Sequence, residues 1–144
     1  MRALTLHQPW AWAICHAGKR IENRTWRPPK NMIGKRIAIH AGKTLDKLVL
    51  KALRWILDRP IEIDDIPLGK IVAVATIDRV VTVNIPPGQE KWFDGPIGWL
   101  LRNVVVLPRP IPCTGHQSLW CIPDDVCQQI EEQLKERDAD VREV

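Results

Sequence analysis

The sequence predicts a mixed α+β domain, and three observations lead to that class. Short runs of β-branched residues recur along the chain, most clearly over residues 69–83. Apolar residues repeat at helical spacing in two or three other segments, the clearest being residues 45–57. The chain has 144 residues, 45% of them hydrophobic, which is enough for one domain with a real core. No internal repeat divides it, so we expect a single domain over residues 1–144.

The first predicted elements are a strand, a short helix and a second strand. Leu4 and Leu6 alternate with polar residues, as in a half-buried strand. Pro9 suits the first turn of a helix because its missing N–H would have no partner there, and Gly18 suits the position just past the helix end. A strand follows, in which a period of two places four residues on one face: Arg20, Glu22, Arg24 and Trp26.

The best predicted helix follows a strand over residues 35–41, which Gly42 and Lys43 are expected to end. Thr44 is the expected N-cap of this helix and Pro60 its stop. Its apolar residues are expected to form a continuous stripe packed on the core: Leu45, Leu48, Val49, Ala52, Leu53, Ile56 and Leu57.

The second half of the chain predicts more strand and a final helix. Residues 69–83 indicate a hairpin or one long bent strand, and two more strands are expected over residues 99–107 and 117–122. The loop between residues 83 and 99 contains Trp92 and Phe93, which would either cover the core or form a stacking surface. A C-terminal helix is expected over about residues 124–137, with fraying beyond it.

Charge is unevenly distributed along the chain. Residues 1–56 hold twelve Lys/Arg against two Asp/Glu, a net charge of +10, whereas residues 57–144 carry a net charge of −6. A basic half is typical of a protein that binds a polyanion, and nucleic acid is the commonest one. A solvated basic surface with no such partner is the alternative.

Several classes of protein are excluded or disfavoured. No run of roughly 18 apolar residues marks a membrane span, and no signal-peptide core follows Met1. Four cysteines without a CxxC pair favour reduced thiols and a cytoplasmic protein. One cluster has donors of the kinds that zinc takes, but its spacing lacks the two close pairs typical of zinc, so we predict no metal and no cofactor: Cys113, His116, Cys121 and Cys127.

The stretch from Leu4 to Trp26 concentrates three of the seven tryptophans beside a charged run. Such a combination is more typical of the wall of a site than of a plain core element. Within it, Gly18-Lys19-x-x-Glu22-x-Arg24 resembles the GxKxxExR motif of ASCH domains, the activating-signal-cointegrator homology domains. Other segments resemble the family in the same order, over about residues 2–122: Gln8-Pro9-Trp10-Ala11, Ile39-His40-Ala41, Gly95-Pro96-x-Gly98-Trp99 and Gly115-x-Gln117-x-Leu119-Trp120.

The resemblance implies a PUA-like β-barrel with helices packed around it, and a basic cleft that binds RNA, another nucleic acid or a modified nucleoside. The implied nucleic-acid-binding residues are Gln8, Trp10, Lys19, Glu22, Arg24, His40 and Lys43. Lys19, Arg24 and Lys43 would contact phosphate, Glu22 would orient the arginine or read a base edge, and Trp10 would stack on a base.

Catalysis is the first alternative to this binding module. A related branch that hydrolyses N4-acetylcytidine has a Thr at the position of Glu22, with a Lys matching Lys19, so covalent amidase chemistry would lack its nucleophile here. A glutamate acts as a general base on water if its pKa is raised. Some bacterial ASCH proteins are ribonucleases, for which His40 and Lys43 would be the acid–base groups. The candidate catalytic residues are Lys19, Glu22, His40, Lys43 and Ser118. A protein-interaction adaptor is the third reading.

Overall fold

A computed structural model describes the backbone of residues 1–143 and the side chains of residues 1–141. It contains six strands and three α-helices in the order β1 (Arg2–Gln8), α1 (Trp10–His16), β2 (Ile21–Arg24), β3 (Arg36–Leu45), α2 (Lys47–Ile56), β4 (Lys70–Val81), β5 (Ile97–Pro112), β6 (Leu119–Cys121) and α3 (Asp124–Glu143). This confirms the α+β class. No helix among the described residues is long and apolar enough to cross a membrane.

The six strands form one mixed sheet in the order β2-β5-β4-β3-β1-β6. Strands β1 and β3 pair in parallel, and every other pair is antiparallel. The β4–β5 ladder shifts register at three places, and such bulges bend a strand and increase its twist. The two longest strands therefore curve the sheet around the core.

The closed β-barrel implied by the resemblance is wrong for this chain, because the sheet remains open. Its edge strands, β2 and β6, have four and three residues and pair only with their inner neighbours. Strands this short offer few main-chain groups for a closing ladder. One side chain nevertheless crosses the opening: Arg24 Nη2 on β2 donates a hydrogen bond to the carbonyl oxygen of Thr5 on β1 (2.8 Å).

Trp99 on β5 is the largest fully buried side chain of the core. Its indole Nε1 donates a hydrogen bond to the carbonyl oxygen of Trp26 (3.0 Å), and the two rings meet edge to face at 4.8 Å. Aromatic pairs favour this arrangement because the positive ring edge meets the negative face. The contact holds the residues after β2 against the sheet, next to the charged run on that strand.

Several predicted boundaries need correction. Strand β3 does not end at Gly42 but runs on to Leu45, which pairs with Gln8 of β1. Thr44 lies inside β3, and the N-cap of α2 is Asp46, whose carboxylate accepts a hydrogen bond from Val49 N (3.0 Å). Residues 70–81 form one bent strand, which was the second of the two predicted forms.

The last helix is longer than predicted. It begins at Asp124 as expected but continues to Glu143 instead of ending near residue 137. Val126 and Ile130 are buried on the sheet, and Arg109 of β5 pairs with Glu136 (2.9 Å). The acidic residues in its first turn stabilise the helix, because they lie at the positive end of its dipole.

Candidate functional site

A cavity of about 720 Å³ opens between β2, α2 and the segment before β5. One part of its wall is polar and includes Lys19, Glu22, Asn23, Arg24, Lys91 and Asp94. The other part is apolar and includes Trp10, Trp26, Val49, Ala52, Leu53, Ile56, Trp92 and Phe93. Ligand cavities usually have this size and this mixture, with a few polar groups set among apolar and aromatic ones.

Part of the apolar wall comes from α2. The sequence predicted that the apolar stripe would pack on the core. This is confirmed for Leu45, Val49, Leu53 and Leu57 but wrong for Leu48, Ala52 and Ile56, which are exposed. Leu50 and Leu53 are the buried residues of α2, and Leu50 was not in the predicted stripe. Val49, Ala52 and Ile56 face the cavity, and Ala52 and Ile56 are exposed. Part of the stripe therefore forms one side of an open cleft.

Lys19 lies at the bottom of the polar wall and is only 2% exposed. Its Nζ donates a hydrogen bond to the carbonyl oxygen of Ile21 and lies 5.6 Å from the ring centre of Trp10. Burial lowers the pKa of Lys19, the nearby Glu22 charge opposes that shift, and Arg24 adds to it. The ammonium group is thus held inside the protein at the foot of the cleft.

Glu22 is 7% exposed, and its Oε2 atom is buried without any hydrogen-bond partner. Among the described residues, no lysine, arginine or histidine nitrogen lies within 4.0 Å of its carboxylate. A buried acceptor with no partner costs roughly 1–3 kcal/mol, and more if it is charged. A residue of the cleft wall thus carries an acceptor that the rest of the protein leaves unpaired, and an ordered water, an ion or a ligand would satisfy it.

Arg24 does not pair with Glu22, contrary to the expected orienting role of the glutamate. Its guanidinium is held instead by the Thr5 carbonyl oxygen described above, and its Nε is buried without a partner. Glu22 and Arg24 are two residues apart on β2, so they project from the same face of the strand. Two residues on the same strand face that line the cleft thus carry a buried acceptor and a buried donor without partners.

Asn23 holds in place the segment that carries the aromatic residues Trp92 and Phe93 of the cleft wall. Its Nδ2 donates a hydrogen bond to the carbonyl oxygen of Trp92 (3.0 Å), and its Oδ1 accepts from the main-chain nitrogens of Asp94 (2.9 Å) and Gly95 (3.0 Å). Trp92 is 5% exposed and packs in the core, whereas Phe93 is half-buried. The aromatic loop therefore both covers the core and lines the cleft.

Gln8 and His40 lie outside the cavity lining. Gln8 is fully buried: its Oε1 accepts from Trp12 N (2.9 Å) and its Nε2 donates to the Pro67 carbonyl oxygen (2.9 Å). His40 is 2% exposed, and Gly115 packs so closely on its ring that an added Cβ would lie 2.6 Å away. The sequence reasoning expected His40 to share the concave surface, and the structure does not place it there.

The hydrogen bonds of His40 define its protonation. Cys113 offers only a carbonyl oxygen, so His40 Nε2 carries the hydrogen in that contact (2.7 Å). Thr5 Oγ1 accepts from Trp120 Nε1 (2.9 Å) and is left to donate its own hydrogen to His40 Nδ1 (3.1 Å). Burial lowers the pKa of His40, in keeping with a neutral ring in this network.

Lys43 and Ser118 are exposed and also lie outside the cavity lining. The four cysteines are free thiols, and burial raises the pKa of Cys15 to about 12. Among the described residues, no three His, Cys, Asp or Glu side chains are grouped closely enough to hold a metal ion.

Sequence reasoning missed three parts of the site. It did not single out Asn23, Lys91 or the cavity-facing side of α2. Asn23 lies between Glu22 and Arg24 in the GxKxxExR motif, and this position could have pointed to it. The α2 residues gave none, because apolar residues at helical spacing look the same whether they face a core or a cleft.

An open, curved mixed sheet flanked by helices, with a polar cleft beside one edge strand, defines an α+β domain of the PUA-like class. The chain belongs to the ASCH domain family, whose sequence model matches residues 4–95. Comparison with curated proteins gives no significant match.

Solved structures agree on the fold. The crystal structure of ASCH from Zymomonas mobilis is similar, with a TM-score of 0.55 and 17% identity over 91% of this chain and 93% of that one. Two substituted forms of the same protein give TM-scores of 0.54 and 0.53 at 18% and 17% identity, each over 91% of this chain and 96% and 94% of theirs. At this identity the likeness concerns the fold alone.

Proposed function

We propose that the chain is a small RNA-binding module that receives an unpaired nucleotide in the cleft. One observation carries the proposal: aromatic rings and cationic side chains line the same cavity as Glu22, whose buried Oε2 has no partner. Proteins that read single-stranded RNA combine stacking on aromatic rings with hydrogen bonds to base edges. A cavity of about 720 Å³ has room for one nucleotide.

The polar wall supplies the recognition of the base. Glu22 Oε2 is an acceptor and Arg24 Nε a donor, and both lack partners in the protein. A base edge that offers an amino group beside a ring nitrogen or carbonyl group satisfies both. Trp10, half-buried in the apolar part of the wall, is the proposed stacking ring. Binding would then remove the cost of two buried, unpaired polar atoms.

The contacts to phosphate are assigned differently from the expectation for Lys19. Its ammonium group is buried and already donates to the Ile21 carbonyl, so we assign it to positioning the cleft floor. Arg24 and Lys91 line the cavity and supply positive charge to the phosphate of the bound nucleotide. Gln8, His40, Lys43 and Ser118 have no role in this proposal.

The test is RNA affinity measured against salt concentration. Short single-stranded RNAs are titrated by fluorescence anisotropy from 50 to 300 mM salt, and log K should fall against log salt by about 0.7 for each phosphate neutralised. Arg24→Ala should weaken binding and reduce that slope, while Lys135→Ala, an exposed lysine on α3, serves as the matched control. If several RNAs of different sequence fail to bind at low salt, the proposal is overturned.

Hydrolysis is the second candidate, and the unpartnered carboxylate of Glu22 favours it. A free carboxylate in a cleft is placed to activate water against a bound RNA or modified nucleoside. The discriminating assay measures cleavage of RNA, and of N4-acylated cytidine, beside affinity. An enzyme should lose about 10²–10⁴-fold in turnover in Glu22→Gln while keeping its affinity, whereas a binding module shows no turnover at all.

A further inference from the structure

The outward face of α2 is apolar although it faces solvent. Trp55 is 85% exposed, Leu48 81% and Ile56 56%, and Ala52 between them is exposed too. Their spacing of four, three and one residues places them on one side of the helix. Single exposed leucines are common on protein surfaces, but a nearly fully exposed tryptophan among other apolar residues marks a surface that contacts a partner.

This exposed face is continuous with the cleft. Ala52 and Ile56 belong to both, because they line the cavity and remain exposed. At 100° per residue, the helix surface leads from Ile56 through Ala52 to Leu48 and Trp55. Trp55 follows Ala52 by three residues, so their Cβ atoms lie about 5–6 Å apart. The indole is thus one side-chain row outside the cleft.

Positive charge borders the same face. Continuing around the helix beyond Trp55 brings Lys51 and then Lys47, both exposed. Helix α2 contains no acidic residue, and among the described residues neither lysine has a carboxylate within 4.0 Å. A second copy whose α2 docked antiparallel by a two-fold axis would bring the two lysine rims together, and they would repel. A polyanion with apolar ring faces, which is a single-stranded nucleic acid, complements the surface.

We propose that this face of α2 is a second contact for single-stranded RNA, with Trp55 stacking on the base next to the one held in the cleft. Leu48 and Ala52 extend the apolar platform, and Lys51 and Lys47 contact the phosphates that follow. This inference rests on the proposed function, since the strand is placed by the nucleotide bound in the cleft. It makes the chain a reader of at least two adjacent nucleotides.

The experiment compares a mononucleotide with a pentanucleotide as ligands of the full chain. Trp55→Ala should leave mononucleotide affinity unchanged and weaken pentanucleotide affinity about 5- to 150-fold, the usual loss of one stacked base. Trp55→Phe should recover much of that loss, because it keeps a ring. Val83→Ala is the matched control, since Val83 is 70% exposed outside α2. Lys47→Gln and Lys51→Gln should each reduce the salt slope for the pentanucleotide by about 0.7.

Each outcome separates this inference from the proposed function. If the wild type binds neither ligand, both are overturned. If it binds RNA and Trp55→Ala binds the pentanucleotide equally well, only the α2 contact is overturned. Sedimentation velocity tests for self-association. If the wild type self-associates while Trp55→Ala is monomeric and binds RNA with unchanged affinity, the face contacts a second copy of the chain instead of RNA. Circular dichroism of Trp55→Ala verifies the fold, which should persist because the side chain is exposed.

Discussion

Arg24 on one edge strand and Thr5 on the strand next to the opposite edge are joined by a hydrogen bond of 2.8 Å. The same threonine bonds His40 and Trp120 through its hydroxyl group. One residue of β1 therefore links the cleft residue Arg24 to the buried histidine. From the sequence, Glu22 was expected to orient Arg24. The main chain of β1 holds Arg24 instead.

This relationship predicts that Arg24 supports both the fold and the cleft. Arg24→Ala leaves the Thr5 carbonyl without its donor and should lower the free energy of unfolding by about 1–3 kcal/mol. Urea denaturation measures the change. Arg102→Ala is the control, because it removes an arginine whose pair with Asp78 is half exposed. A loss no larger than that of the control would contradict a structural role for the Arg24–Thr5 bond.

Glu22→Gln should stabilise the free protein. The substitution keeps the shape and removes a buried carboxylate that has no hydrogen-bond partner. This gain should exceed the loss of its longer-range attraction to the Lys19 ammonium, so the free energy of unfolding should rise by about 1 kcal/mol. Affinity for RNA should fall at the same time, since the acceptor kept for the ligand is weakened. Thermal unfolding and anisotropy on the same samples measure both. A glutamine variant that is clearly less stable than the wild type would show that the carboxylate has a structural partner.

Asn23 is expected to position the aromatic wall of the cleft. Asn23→Ala removes three hydrogen bonds to the segment from Trp92 to Gly95 and should cost about 1–3 kcal/mol of stability. Amide hydrogen exchange should become faster at Asp94 and Gly95, whose main-chain N–H groups lose their acceptor. Asn31→Ala, at an exposed asparagine, provides the comparison. Unchanged exchange at both amides would argue against this positioning role.

The stability of the protein should fall in mild acid. Burial lowers the pKa of His40 below its usual 6.5, with nearby His116 adding to the shift and the bond to Cys113 opposing it. The unfolded chain therefore takes up the proton at a higher pH than the folded chain does. By linkage, the contribution of His40 is fully present above about pH 6.5 and is lost as the pH falls below that value. Burial lowers the pKa of His16 too, so it acts in the same direction.

Urea denaturation at pH 8, 7, 6 and 5 checks this dependence. His40→Gln should be less stable at pH 8, because it disturbs the contacts to Thr5 and Cys113, but its stability should vary less with pH. His7→Gln, at an exposed histidine, should follow the wild-type curve. A His40→Gln variant with the full wild-type pH dependence would locate the acid sensitivity elsewhere.

Local sequence was enough for much of the fold. Gly18 follows α1 with a φ of +74°, as its conformational preference predicted. Pro9 is the N-cap of α1, one residue before the first turn in which it was predicted. The ordered motifs placed the chain in its family. The N-cap of α2 was misplaced by two residues because Thr44 and Asp46 are both good caps, and only pairing with β1 shows that β3 continues to Leu45.

The tertiary structure decided what those elements do. The sequence by itself determined the α+β class, the basic half and the motif that puts Glu22 and Arg24 on one strand face. It did not determine that the sheet stays open, that Arg24 bonds Thr5, or that α2 turns part of its apolar stripe toward a cleft and solvent. Periodicity records only that a face is apolar, because the burial of that face depends on what other segments bring against it. Leu50 and Leu53 pack in the core, whereas Trp55 is 85% exposed to solvent.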